Sequence, residues 1–275
     1  MTEPTLPALR DVISRYRLAA RHKLGQHFLL DANLLDRIVR SAGDLTGRHV
    51  VEVGAGPGGL TRALLASRAA SVTSVEIDPR AIAALGELIA VYGDRFSLIE
   101  GDALAVDLAA RVPAPRQIVA NLPYNIGSPL LVGWLRQAGS WERMTLMFQQ
   151  EVADRLCAPP GTSAYGRLGV LAQWTCEVAL ALRVPPEAFV PPPKVHSAVV
   201  RLTPHAVQPP AELFAAMERL TAAAFGQRRK MLRAALRSLP GGVEALAAAG
   251  IDPARRAETL TVAEFVAVAA ASAAS

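Results

Sequence analysis

Cysteine is scarce: the chain of 275 residues has two, Cys157 and Cys176, too few for a disulfide framework and without metal-site spacing. That excludes a stapled secreted fold and fits a reducing cytosol. Lysine accounts for only three of 29 basic residues, which we read as GC-rich coding rather than a functional demand. No run of about 20 predominantly apolar residues occurs. The longest apolar tract, near the C-terminus, is rich in Ala and Ser, is interrupted by Glu264, and reads as a terminal helix. The opening Met1-Thr2-Glu3-Pro4 has no basic leader followed by an apolar segment, so the expected compartment is the cytoplasm, with no membrane partner. What is present, 51% hydrophobic and 19% charged residues, is too apolar for disorder and long enough for one large domain plus a smaller one.

Short runs rich in Val and Ile alternate with longer segments of helical periodicity, the pattern of a parallel sheet covered by helices. Strands are expected at 49–53, 71–76, 96–100, 117–120, 144–148, 177–183 and 197–202. Asp31 is placed to cap a helix carrying Leu34, Leu35, Ile38 and Val39, and Pro79 sits where a first helical residue belongs. Beyond Thr203 the β-branched runs stop, prolines punctuate the chain, and helices are expected at 211–225, 228–239, 242–249 and 262–273. The expected fold is therefore α/β and Rossmann-like over 1–203, followed by a small all-helical domain over 204–275. Nothing in the sequence demands an oligomer, and a monomer is expected.

Gly54, Gly56 and Gly59 follow a strand and enter a helix with G-x-G-x-x-G spacing, and Glu76 ends the next strand 22 residues after Gly54. The pattern fits any adenosine-containing cofactor: glycines let a ligand approach the backbone, and a carboxylate accepts hydrogen bonds from both ribose hydroxyls. Pro57 removes a backbone N–H where a pyrophosphate would need one, which favours S-adenosylmethionine over NAD. Asp102, after the third strand, is suited to bonding an adenine amino group, or alternatively to capping its own loop.

The fourth strand ends in Asn121-Leu122-Pro123-Tyr124. An exocyclic adenine amine is a weak nucleophile because its lone pair is delocalised into the ring. The Asn121 side-chain carbonyl and the Leu122 backbone carbonyl are placed to accept its hydrogens, Pro123 stiffens the turn, and Tyr124 is placed to stack on the base. Phe189, leading into Pro191-Pro192-Pro193, is either the other wall around an extruded base or a core aromatic anchoring a rigid loop.

Together Lys23–Leu29, Gly54–Thr61, Glu76, Asp102, Asn121–Tyr124, Ala164–Leu168, Pro191–Leu202 and Phe225–Lys230 resemble the bacterial small-subunit ribosomal RNA adenine N6,N6-dimethyltransferases. The resemblance runs from about residue 20 to 268. It implies a Rossmann-like methyltransferase domain with a helical C-terminal domain, S-adenosylmethionine as cofactor, and dimethylation of two adjacent adenines in the 3′-terminal hairpin of 16S rRNA within the small (30S) subunit or its precursor. It further implies that His27 and Leu29 cover the cofactor, Gly54 and Gly56 lie in its loop, Glu76 holds the ribose, Asp102 reads the adenine, and Asn121 spans cofactor and target amine. Tyr124 and Phe189 become the base-stacking pair. His27 stands where asparagine is common; by its residue type alone it is an ordinary loop histidine.

The net charge of +5 is modest, so its placement matters. Arg10, Arg15, Arg17, Arg21 and Lys23 form a basic N-terminal arm opposed only by Glu3 and Asp11. From Phe225 to Leu239 no acid occurs, and Arg228, Arg229, Lys230, Arg233 and Arg237 are expected to bind RNA, with Arg229, Arg233 and Arg237 along one helical face. The rival readings are an NAD-dependent oxidoreductase, a resistance-type dimethylase of large-subunit RNA, and a non-catalytic RNA-binding assembly or transcription factor. No metal is expected: the His and Cys residues lack the zinc-deaminase arrangement.

Overall fold

Valine-rich runs buried on both faces become the centre of a sheet, as a mostly parallel arrangement requires. A computed structural model of the chain describes residues 6–18 and 27–273. Its strands are β1 (Phe28–Leu29), β2 (His49–Val53), β3 (Ser71–Glu76), β4 (Phe96–Glu100), β5 (Arg116–Asn121), β6 (Arg143–Gln149), β7 (Cys176–Val184), β8 (Phe189–Val190) and β9 (Ser197–Pro204). Seven of them form one sheet in the order β4-β3-β2-β5-β6-β9-β7. Pairing is parallel from β4 across to β6, and β9 runs antiparallel to β6. The chain steps outward from β2 to β3 and β4, then returns to place β5 on the other side of β2. That reversal opens a crevice at the carboxyl ends of β2 and β5. The short β1 and β8, not expected from the sequence, pair antiparallel with Phe28 opposite Val190 and Leu29 opposite Phe189.

The fold divides into two compact units. The first takes the chain up to Gly133 with Ser140–Ala153 and Ala179–Thr203; the second takes Trp134–Gly139, Asp154–Val178 and the chain from Pro204. In the first, Leu34, Leu35 and Ile38 from the helix Ala32–Ser41 and Leu60 and Leu64 from the helix Gly59–Ala66 share a core with Val50, Val72 and Val119 of the sheet. Asp31 caps its helix by accepting from the Asn33 and Leu34 amides, and Pro79 opens the helix Pro79–Tyr92. The N-terminal helix Leu9–Arg15 lies against that same helix: Val12 and Leu18 pack with Phe28, Ala81 and Ala84, while Arg15 and the Tyr16 hydroxyl both donate to Glu87, at 2.8 and 2.7 Å. Part of the basic arm is thus bound to the protein itself. Arg10 and Arg17 are exposed. Arg21, Lys23 and the segment 23–26 of the resemblance lie outside the described residues.

The second unit is built mainly of helices. Ala211–Gly226 and Val262–Ala273 bury Phe214, Met217, Leu220, Phe265 and Val268. The latter helix starts on a reciprocal cap, with the Thr261 amide donating to Glu264 at 2.7 Å and the Glu264 amide to Thr261 Oγ1 at 3.2 Å. One helical expectation fails. Residues 228–239 do not form a single helix: 227–230 turn, Met231 is extended and bridges Arg256, and only Leu232–Ala235 is α-helical before a 3₁₀ turn at Leu236–Ser238. The reason is tertiary. The Leu232 and Arg233 amides donate to the Arg255 and Pro253 carbonyls instead of to partners one turn earlier. Among the described residues no helix is long and apolar enough to cross a membrane.

Candidate active site

At the carboxyl edge of β2, β3 and β5 lies a cavity of about 210 Å³ whose walls come from the loops expected to carry chemistry. His27, Leu29, Gly54, Gly56, Glu76, Asp102 and the whole of Asn121–Tyr124 line it. Parallel register explains the convergence: strands entering the sheet side by side deliver their following loops to one edge. Gly54 and Gly56 both take positive φ, +75° and +53°. A Cβ on Gly54 would sit 3.1 Å from Pro123, and one on Gly56 would sit 3.1 Å from the Phe28 ring. Glycine here is a requirement of both backbone conformation and space.

Glu76, 5% exposed, organises this loop. Its Oε2 accepts the Gly56 amide at 2.8 Å, and its Oε1 accepts the Ile77 and Asp78 amides at 2.8 and 2.9 Å. The carboxylate is thereby fixed at the cavity wall with lone pairs remaining for a ligand. Asp102 caps its own turn, Oδ1 accepting the Leu104 amide at 2.9 Å, and the residue also lines the cavity.

A third carboxyl group went unremarked in the sequence. Glu52, on β2, is 1% exposed, and its Oε2 accepts hydroxyl hydrogens from Thr61 at 2.6 Å and Ser74 at 2.8 Å. Burial pushes it up to about 7, with Glu76 nearby adding to the rise and the two hydroxyls opposing it. A carboxyl two residues before a glycine turn, inside an otherwise apolar strand, was the available signal. Three carboxyl groups line the cavity, and among its described lining residues there is no Lys or Arg. A pyrophosphate would meet carboxyl groups and no Lys or Arg among the described lining residues, whereas a cationic ligand bearing hydroxyl and amino donors suits them.

Asn121 ends β5 with its Nδ2 donating to the His27 carbonyl at 3.4 Å, which leaves Oδ1 as an acceptor. Leu122 is buried, and among the described residues no turn or loop amide donates to its carbonyl, whereas the Pro123 carbonyl accepts from Ile126 and Gly127. Tyr124 is anchored through its hydroxyl to Ser197 Oγ at 2.6 Å, and burial pushes its phenol up, so it stays protonated. Ser197, on β9, was also missed; its role depends on a strand 73 residues away in sequence. The structure places Phe189 differently from the expected wall: it is 1% exposed, belongs to the core of the first unit, and does not line the cavity.

In the second unit Arg229, Lys230, Arg233 and Arg237 are all exposed, although not along one helix. Arg228 is half-buried and donates to the Tyr165 and Thr162 carbonyls at 2.8 and 3.4 Å, tying down the loop before the helix Arg167–Thr175.

A mostly parallel sheet closed by the antiparallel β9, with a glycine loop feeding an acidic cavity at its carboxyl edge, defines a Rossmann-like methyltransferase. The chain belongs to the ribosomal RNA adenine dimethylase family, which its sequence matches over residues 17–273. It is 60% identical over 264 residues to the ribosomal RNA small subunit methyltransferase A of Gluconobacter oxydans, covering 96% of this chain and 87% of that one. The enzyme of that name from Mesorhizobium japonicum is 56% identical over 270 residues, covering 95% and 96%. Among solved structures, a dimethyladenosine transferase from Plasmodium falciparum superimposes with a TM-score of 0.72 at 27% identity, covering 88% of this chain and 96% of that one. The 23S rRNA methyltransferase ErmE gives 0.63 at 28% identity, covering 89% and 98%.

Proposed function

We propose that this enzyme uses S-adenosylmethionine to dimethylate the N6 amines of two adjacent adenines in the 3′-terminal hairpin of 16S rRNA, acting as a cytoplasmic monomer on the small subunit or its precursor. The observation that carries the reading is the junction of a cavity lined by three carboxyl groups with the Asn121 Oδ1 acceptor and the Tyr124 ring. When bound, the cofactor supplies an electrophilic methyl group on a cationic sulfur. Glu76 is positioned to accept the ribose hydroxyls, Asp102 to accept the adenine amine, and the glycine loop to admit them to the backbone.

Asn121 Oδ1 and the Leu122 carbonyl accept the two hydrogens of the target amine, pulling its nitrogen towards the localised, pyramidal form and directing the lone pair. Tyr124, held by Ser197, presents its ring to the base. No side-chain base is needed: the nitrogen becomes strongly acidic once it carries the methyl, and its proton passes to water. The monomethylated amine keeps one hydrogen, so the second transfer proceeds with one of the two acceptors engaged. Exposed Arg229, Lys230, Arg233 and Arg237 serve phosphate contacts, with hairpin shape and an accessible loop giving selectivity.

Primer extension across the 16S hairpin, in a strain lacking its dimethylase with and without this chain, tests the assignment. Stops restored at two adjacent adenines are expected. Modification mapped to large-subunit RNA, or none, refutes it.

A further inference from the structure

The His27 side chain is not turned to the cofactor cavity alone. Its ring stacks on Tyr124 with centroids 5.5 Å apart and planes at 29°, and meets Phe189 edge-on at 6.4 Å and 81°. No direct Tyr124–Phe189 ring contact occurs among the described residues; the imidazole lies between them. Its Nδ1–H donates to the Pro191 carbonyl at 2.8 Å, and its own carbonyl accepts from Asn121. One residue therefore joins the amine-binding turn to the proline-rich loop and fills the gap between the two aromatic side chains.

We infer that His27 is a positioning residue whose ring occupies the target-base slot in the free enzyme, and that an extruded adenine must displace it to stack on Tyr124. This rests on the proposed adenine methylation. The dimensions support it: a planar heteroaromatic at stacking distance from Tyr124 is what an adenine would replace. The Nδ1–H bond to Pro191 is broken on displacement, and the side of Phe189 that meets the imidazole then opens towards the slot. Burial of Phe189 and a base-facing role for it are in this way two states of one cluster. The base bound in the slot repays the loss of the His27–Tyr124 and His27–Phe189 contacts, so the ring sets a threshold that favours a base able to stack and bond over one that only stacks.

The test compares binding of two RNA hairpins to the full chain, one with adenine at the target position and one abasic there. The dissociation constant of the abasic hairpin divided by that of the adenine hairpin isolates the base slot from phosphate contacts. His27→Ala and His27→Asn should raise that ratio about 2- to 12-fold, the worth of one aromatic pair, while His27→Phe keeps it near wild type. In selectively labelled wild-type protein, the His27 ring resonance should leave its Tyr124-shifted position on adding the adenine hairpin and stay on adding the abasic one, a readout that needs no variant. An unmoved ratio with an unmoved resonance overturns the inference, as does a ratio that falls, which would make His27 a stacking partner of the bound base. If wild type neither distinguishes the hairpins nor methylates the 16S hairpin, the adenine reading itself fails; normal methylation with an unmoved ratio removes only the role of His27.

Discussion

Replacing Glu52 with glutamine keeps the shape and the acceptor that Thr61 and Ser74 use, but removes the charge. In the folded chain this carboxyl is raised from an ordinary 4.5 to about 7, because burial disfavours the anion more than two hydroxyl hydrogen bonds favour it. The folded state therefore holds the proton more tightly than the unfolded state. Its contribution to stability is full below about pH 4.5, declines as pH rises, and is lost above about pH 7. At roughly 1.4 kcal/mol per pH unit, the whole change is about 3–4 kcal/mol. The glutamine variant does not titrate, so its stability relative to wild type should climb by about 2–3 kcal/mol between pH 5 and 8. Subtracting the two proteins cancels the titrating groups that are not coupled to Glu52. Urea unfolding followed by circular dichroism at four pH values across that range measures the difference. A difference that is constant with pH would mean that Glu52 is already ionised at pH 5, and the electrostatic account of this cavity would be wrong.

Asn121→Ala removes the side-chain acceptor and should slow methyl transfer by at least about 100-fold, the scale for an oriented polar group, with cofactor affinity changed only a few-fold. Single-turnover assays with labelled cofactor check this, and near-normal rates refute it. Glu76→Ala strips three backbone amides of their acceptor and removes the carboxylate proposed to hold the ribose, so cofactor affinity should fall by at least about 10-fold; unchanged affinity by calorimetry ends the ribose role. Changing Arg229 and Arg233 together to alanine should reduce the slope of log affinity against log salt by about 2. The same slope as wild type takes that surface out of the RNA interface. Glu264 is held down to about 2 by Arg255 and by the Thr261 cap, so its stabilisation is present above pH 4.5 and is lost as pH falls towards 2. Glu264→Ala should cost about 1–2 kcal/mol at pH 7 and progressively less in acid, as read from denaturant melts.

Much was legible in one dimension because it depends on local chemistry. Valine-rich runs, the glycine loop with its positive φ values, Asp31 as a cap and Pro79 as a first helical residue are each fixed by a few adjacent residues. The order of the site segments was legible too, since parallel pairing sends Gly54–Gly56, Glu76, Asp102 and Asn121–Tyr124 to one edge whatever the exact strand lengths. Tertiary structure decided the rest. Whether Phe189 meets solvent depends on β1 lying against β8, a pairing of two-residue strands too short to leave a period. The ionisation of Glu52 depends on how completely Thr61, Ser74 and the surrounding core exclude water. The basic segment after Phe225 has helical spacing, yet its amides at 232 and 233 find stronger use with 253–255 than with each other's turn. And the placing of the His27 ring between Tyr124 and Phe189 joins three loops distant in sequence, through contacts that exist only once the sheet has brought those loops together.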